Sequence, residues 1–174
     1  VKPQTTESIK HAKAAKVPIV VAVNKCDLPE ADAQKVKNQL LEYELIAEEL
    51  SGETLVTEVS AITKKNLDKL QESILLQAEI LDLKADYDCK AKGVILESSI
   101  DKGRGPVSTV LITEGNLKIS DYFVSGKTWG KIRAMIDFNG KKVESALPSD
   151  PVEILGMNSS AYSGDDFIVV DSES

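Results

Sequence analysis

Two cysteines and one histidine are all that this 174-residue chain offers to metal or thiol chemistry. Cys26 and Cys89 stand far apart, without a CxxC spacing or a Cys/His cluster, which argues against a zinc site and implies a reducing compartment. His11 is the single histidine, so a histidine-dependent triad or a histidine-rich metal centre is not expected. No apolar run approaches the ~20 residues that cross a bilayer, and no charged-then-apolar leader opens the chain. Neither a membrane anchor nor a signal peptide is expected. A strongly basic balance is also lacking: the net charge is −7, unlike a dedicated nucleic-acid binder. That figure hides an asymmetry. Residues 92–145 hold nine Lys/Arg against six Asp/Glu, whereas residues 146–174 hold six acids and no base.

What is present is ordinary globular composition, 42% apolar and 28% charged, in two textures. In the first, "TTESIKHAKAAK" (5–16) reads as the back of a helix, with Ile9 and Ala12 on one face. "VPIVVAV" (17–23) has no alternation, as in a parallel strand buried on both faces. A helix follows, with Ala33, Val36, Leu40 and Tyr43 at helical spacing, then a short strand, "LVTEV" (55–59). Asn66 is the expected N-cap of a last helix, whose Leu67, Leu70, Ile74, Leu75, Ala78 and Leu81 form one stripe. The order α-β-α-β-α is that of a doubly wound α/β domain. After residue 84 a polar stretch, "KADYDCKAKG", leads into six or seven short strand-like runs split by turn residues. Asn139-Gly140 is the strongest hairpin signal among them. The fold class is α/β plus all-β: a parallel α/β sheet (1–83), a linker (84–91) and a small antiparallel β-barrel (92–174).

The chemistry sits where the first strand ends, at Asn24-Lys25-Cys26-Asp27. This NKxD pattern lies at the carboxyl end of a parallel strand, where open α/β sheets bind ligands, and the next strand delivers Ser60-Ala61 to the same edge. Guanine presents two donors side by side, N1–H and its amino group, and the Asp27 carboxylate can accept both. Adenine lacks that pair and would leave the carboxylate desolvated and unpaired. Asn24 can tie neighbouring loops together, Lys25 can lay its stem along the base, and the amides of Ser60 and Ala61 can meet the guanine O6. Cys26 occupies the variable position. A phosphate holder of the form GxxxxGK[ST] is not found. Gly126-Lys127-Thr128 imitates its end, but Asp121 stands where the first glycine belongs, and strand-like sequence follows. "DFNG" (137–140) imitates a DxxG motif and reads as a hairpin turn.

The segments "PQTTESIKHAKAAKVPIVVAVNKCDLPEAD", "ILLQAEILDLKA", "DKGRGPVSTVLITEGNLKISDYFVSG" and "PVEILG" resemble translation initiation factor two of bacteria and mitochondria, over nearly the whole chain. That resemblance implies the rear of a P-loop GTPase-type domain followed by the barrel called domain II in translation factors. The phosphate loop and the Mg ligands that accompany GTP or GDP belong to earlier segments. It carries guanine contacts onto Asn24, Lys25, Asp27, Ser60 and Ala61, with Cys26 and Ile62 completing the loops. Ile62 departs from the lysine often found there, and Ser120-Asp121 departs from a usual Gly-Asp, so that turn is expected to differ in backbone geometry. The resemblance also implies a soluble monomer, cytoplasmic in a bacterium or in a mitochondrial matrix, on no membrane. It would dock the RNA of the small ribosomal subunit through the barrel, with initiator tRNA held by domains beyond these residues. Lys102, Arg104, Lys118, Lys127, Lys131 and Arg133 are the candidate phosphate contacts, an ordinary solvated surface being the competing reading of each. The parent is implied to be a GTPase, and these residues alone are expected to be inactive. Two alternatives stay open: a non-enzymatic RNA- or ribosome-binding module, and a circularly permuted GTPase in which Gly126-Lys127-Thr128 is a true phosphate loop.

Overall fold

The computed structural model describes residues 1–172, which divide into two compact units, 1–83 and 84–172. In the first, α1 (Pro3–Ala14) opens on a proline, whose fixed φ suits the first helical turn. Next come β1 (Val20–Val23), α2 (Ala33–Leu41), a 3₁₀ turn (Glu48–Leu50), β2 (Leu55–Glu58) and α3 (Leu67–Leu81). Asp32 caps α2 by accepting the Lys35 N–H at 2.9 Å. β1 and β2 pair in parallel, Val20 opposite Leu55 through Val23 opposite Glu58. Ile9, Leu40 and Leu45 form the buried centre, with Ile19, Val21, Val36 and Tyr43 packed on it.

Three expectations for this unit need correction. The apolar run 17–23 is not buried on both faces: its strand is four residues long, half-buried, with Ala22 exposed. Two strands leave each one with an open edge, and solvent reaches in from there. The stripe on α3 is only partly covered: Leu67, Leu70 and Ala78 are half-buried, no residue of that helix is fully buried, and Ile74 and Leu75 are 53% and 63% exposed. A two-stranded sheet offers less surface than the stripe was built to cover. Asn66 does occupy the N-cap position of α3, but its side chain caps nothing. It takes a left-handed φ of 54°, and its Nδ2 donates instead to the Glu58 carbonyl at 2.8 Å, fastening the end of β2.

The second unit holds β3 (Lys92–Asp101), β4 (Gly105–Glu114), β5 (Leu117–Lys118), β6 (Tyr122–Ser125), β7 (Thr128–Ile136), β8 (Lys142–Val143), β9 (Ser145–Ala146), β10 (Pro151–Met157) and β11 (Asp166–Val170). The order β10-β4-β3-β11-β6-β7 is closed by β7 pairing with β10, so six antiparallel strands form a barrel without free edges. Inward residues alternate along each strand: Phe123 stacks on Phe167 at 4.8 Å between ring centres, among Ile95, Ile112, Ile132 and Ile154. At the closing seam β7 and β10 nearly touch. A Cβ on Gly130 would lie 2.2 Å from the Gly156 carbonyl oxygen, and one on Gly156 only 1.9 Å from that of Lys131. Gly156, at φ 127°, also forms the irregularity in the β10–β7 register.

The two-residue β5, β8 and β9 were not expected from the sequence. Residues 84–91 carry no helix or strand, yet they are tied to the barrel: Asp86 accepts the Gly115 N–H at 2.7 Å, and Ala91 lies in the core. Asn139-Gly140 does lie in a hairpin, but its loop spans 137–141 between the Ile136–Lys142 pair and is organised by Asp137. Asp137 Oδ1 accepts the N–H groups of Asn139 and Lys141 at 2.9 Å each, and the Lys141 amide holds that carboxyl below its ordinary range. Ser120 does not change its turn's character: it adopts φ 75°, the left-handed conformation that glycine takes more cheaply.

One charge is deeply placed in the first unit. Lys37 on α2 is 5% exposed and meets Glu49 at 2.7 Å and Glu58 at 3.0 Å. These hydrogen bonds, Glu49 first, raise its pKa despite burial. A raised pKa means the stabilisation is fully present below the ordinary lysine value and is lost as pH rises through the folded value. Lys37→Met is therefore expected to lose about 1–2 kcal/mol at neutral pH, less than a fully buried broken pair costs, because both carboxylates keep solvent contact. Thermal melts should show the gap from wild type closing above pH ~10.5.

Candidate nucleotide-binding site

The carboxyl ends of β1 and β2 leave the sheet side by side and are laced together. The ladder continues one step beyond the strands: Val59 N–H donates to Val23 O at 2.9 Å, and Cys26 N–H to Val59 O at 3.1 Å. Asn24 Oδ1 then accepts two amides, Lys25 N–H at 2.7 Å on its own loop and Ala61 N–H at 3.1 Å on the other. The first of these holds Lys25 at φ 64°, a strained conformation for a residue with a Cβ. Cys26 turns its thiol back to the Val23 carbonyl, 3.1 Å away, and serves only the turn.

Ser60 is the anchor of the second loop and is fully buried. Its hydroxyl donates to Asp27 Oδ1 at 2.6 Å and accepts Thr63 N–H at 3.1 Å, while its own N–H goes to Lys65 O at 3.2 Å. A carboxylate oxygen has more than one acceptor position, so Asp27 keeps one face of Oδ1 and all of Oδ2 for donors from outside. Asn24, Lys25, Asp27, Ala61 and Ile62 are exposed; Ile62, at 84%, stands out from the surface. All seven residues singled out from the sequence thus come to one edge of the sheet. The amides of Ser60 and Ala61 do not point outward unoccupied: both are donated within the loops. The part that sequence reasoning missed is the Ser60 hydroxyl, which orients Asp27. A buried serine directly after a strand, in a loop paired with an aspartate, was the available signal.

The basic candidates do not gather into one patch. Lys102 and Arg104 lie at the tip of the β3–β4 hairpin, where Arg104 is engaged by Glu153 at 2.5 Å and Asp101 at 3.3 Å. Lys118 is on β5. Lys127 is in the β6–β7 turn, and Lys131 and Arg133 lie on the outward face of β7. Gly126-Lys127-Thr128 is no phosphate loop. Gly126 and Lys127 form a two-residue hairpin turn between the paired Ser125 and Thr128, with a strand rather than a helix behind them, which removes the circularly permuted reading.

Against known proteins, the family model for the elongation factor Tu GTP-binding domain matches residues 1–80, and that for elongation factor G domain 2 matches residues 90–170. Translation initiation factor IF-2 of Pelagibacter ubique is 70% identical over 173 residues, which is 99% of this chain and 24% of that protein. Over nearly its whole length the chain is similar to one segment of translation initiation factor IF-2. IF-2 of Bartonella bacilliformis is 58% identical over 99% of the chain and 20% of its own length, so the chain spans a fifth to a quarter of these IF-2 relatives. Among solved structures, GDP-bound aIF5B from Aeropyrum pernix superposes with a TM-score of 0.81 at 20% identity, over 99% of this chain and 37% of that one. The apo elongation factor SelB of Methanococcus maripaludis gives 0.71 at 20% identity, over 99% and 38%. These two likenesses concern the fold alone: a parallel α/β unit and a closed barrel.

Because the Asn24 oxygen is one of the ties between the two loops, beside the Ser60–Asp27 bond, Asn24→Ala should loosen them while leaving both core clusters intact. Amide hydrogen exchange is expected to speed up at Lys25 and Ala61 by roughly fivefold, the loss of about one solvent-exposed hydrogen bond at each amide, and not at the β1–β2 ladder itself.

Proposed function

We propose that this chain is the guanine-reading and ribosome-facing part of a bacterial initiation factor that hydrolyses GTP on the ribosome. The observation that carries the first half is the Asp27 carboxylate, held by Ser60 with acceptor capacity left over, beside loops locked by Asn24. Guanine N1–H and the amino group would meet Asp27 together, and O6 would share the Ala61 N–H with Asn24. The Lys25 stem and Ile62 would flank the ring. Ile62 supplies dispersion contact where a lysine would add a charge. Adenine at this place would strand the carboxylate against a ring nitrogen that carries no proton, at a cost of about 1–3 kcal/mol.

The chemistry of hydrolysis lies outside these residues. Among the described residues no group of three or more His, Cys, Asp or Glu is gathered for a metal, so the residues present do not fit a magnesium site and no step is routed through one. Phosphate binding is absent as well, and base recognition alone is weak. The barrel supplies the second half, docking to RNA of the small ribosomal subunit in the cytoplasm. Among the described residues no helix is long and apolar enough to cross a membrane. Placement of initiator tRNA and subunit joining belong to the whole factor.

Calorimetry with the 174-residue chain is expected to give GDP binding no tighter than micromolar and no heat with ADP, together with no GTP turnover. Sedimentation with small ribosomal subunits is expected to carry the chain down at low salt and release it as salt rises. Nanomolar GDP binding would contradict the guanine-only reading, and failure to sediment at low salt would contradict the docking.

A further inference from the structure

Three strands of the barrel present an aromatic and apolar face to solvent. The outward residues of β6, β7 and β11 are adjacent by register: Val124 lies opposite both Trp129 and Ile168, and Tyr122 opposite both Lys131 and Val170. Trp129, Val124 and Ile168 are 47%, 42% and 45% exposed, large values for neighbouring apolar side chains in the middle of a sheet. Val124 and Trp129, with Tyr122, Val170 and the β6–β7 turn, line a shallow groove of ≈ 310 Å³, and Ile168 lies beside it. Two ammonium groups flank it. Lys127 sits in the turn just before Trp129, and Lys131 lies two residues beyond it on the same face, its Nζ 5.0 Å from the centre of the Tyr122 ring. Among the described residues neither lysine has an ion-pair partner, unlike Lys90, Lys92 and Arg104. Two acids lie near the turn: Asp166 on the outward face of β11, and Asp165, whose carboxylate packs against Gly126 and accepts the Tyr162 N–H at 3.0 Å.

We infer that this face is a binding site for unpaired RNA, with a base stacked on the Trp129 indole and neighbouring phosphates on Lys127 and Lys131. This rests on the reading of the barrel as an RNA-docking unit and says which part of it does the docking. An aromatic side chain standing out from a sheet can stack only on a base whose face is free, so the site selects single strands, loops and bulges over duplex. The unneutralised lysines favour a polyanion over a protein partner, because lysine is depleted in the centre of protein–protein interfaces. The cation over Tyr122 keeps that ring from being covered and directs the base to Trp129.

Trp129 is the only tryptophan in the chain, so its fluorescence reports on the site directly. Titration with a single-stranded ten-nucleotide oligo(U) at low salt is expected to quench its emission saturably, and a duplex of equal length to leave it unchanged. Two phosphate contacts predict an affinity roughly sevenfold weaker at 200 mM than at 50 mM salt. By anisotropy of labelled RNA, Trp129→Leu should bind roughly tenfold more weakly and Trp129→Phe nearly as well as wild type. Lys127→Ala with Lys131→Ala should abolish most of the salt dependence without touching the core. Binding without quenching, equal binding of duplex, or a Trp129→Leu variant of undiminished affinity overturns the inference. If Trp129→Leu still sediments with small ribosomal subunits as wild type does, this face is wrong while the docking reading stands. If wild type fails to sediment, the docking reading itself is wrong, and the oligo(U) titration alone decides the stacking site.

Discussion

Parallel strands cannot be joined by a tight turn, so the ends of β1 and β2 arrive together only if something beyond their own ladder fixes them. Here that something is a short set of cross-loop hydrogen bonds, and the Asn24 side-chain oxygen is the one that serves both loops. Asn24 Oδ1 accepts an amide from each loop, and the remaining geometry follows from it. Lys25 can hold a left-handed backbone because its N–H is satisfied there. Asp27 comes within 2.6 Å of the Ser60 hydroxyl because the loops are already in register. A carboxylate so placed keeps its exposed side for two parallel donors, and of the common bases guanine supplies them. In the proposed guanine reading, specificity at this edge is a property of how two loops are tied, not of any single contact to a ligand.

The two units solve the edge problem differently. The barrel closes on itself through the β7–β10 seam, where Gly130 and Gly156 let two backbones approach more closely than any side chain permits. Its core is correspondingly continuous and its outward surface is free to serve binding. The α/β unit keeps two open strand edges and a helix whose apolar stripe is only partly covered. Its buried centre of Ile9, Leu40 and Leu45 is small, and the Lys37 cluster with Glu49 and Glu58 adds a polar tie where apolar surface is scarce.

Much of this was legible in the residues. Alternation in "VSTVLITEG" and "DYFVSG", broken by Gly and Pro, gave the barrel strands, and NKxD at a strand end gave the site edge. What escaped were features with no local signature. A two-residue strand such as β5 or β9 exists only because a partner happens to lie opposite it. The exposure of α3 depends on how many strands stand beneath it, which helical periodicity does not report. Asn66 resembled a cap by composition, but its side chain found the Glu58 carbonyl nearer than its own helix. Arg104 looked like a free cation in the sequence, and its partner Glu153 is far along the chain.

The central claim is that Asp27, oriented by Ser60, reads guanine by accepting two donors. Exchanging that carboxylate for an amide reverses one of its two hydrogen-bonding positions, so the preferred base should change from guanine to xanthine, which offers an acceptor there. Amide chemical-shift mapping with millimolar GDP and XDP tests this on the chain as it is. Wild type is expected to show GDP-dependent shifts confined to 24–28 and 60–63, and Asp27→Asn to show the same shifts with XDP and none with GDP. Shifts elsewhere, or an Asp27→Asn variant that responds to GDP as wild type does, would contradict the account.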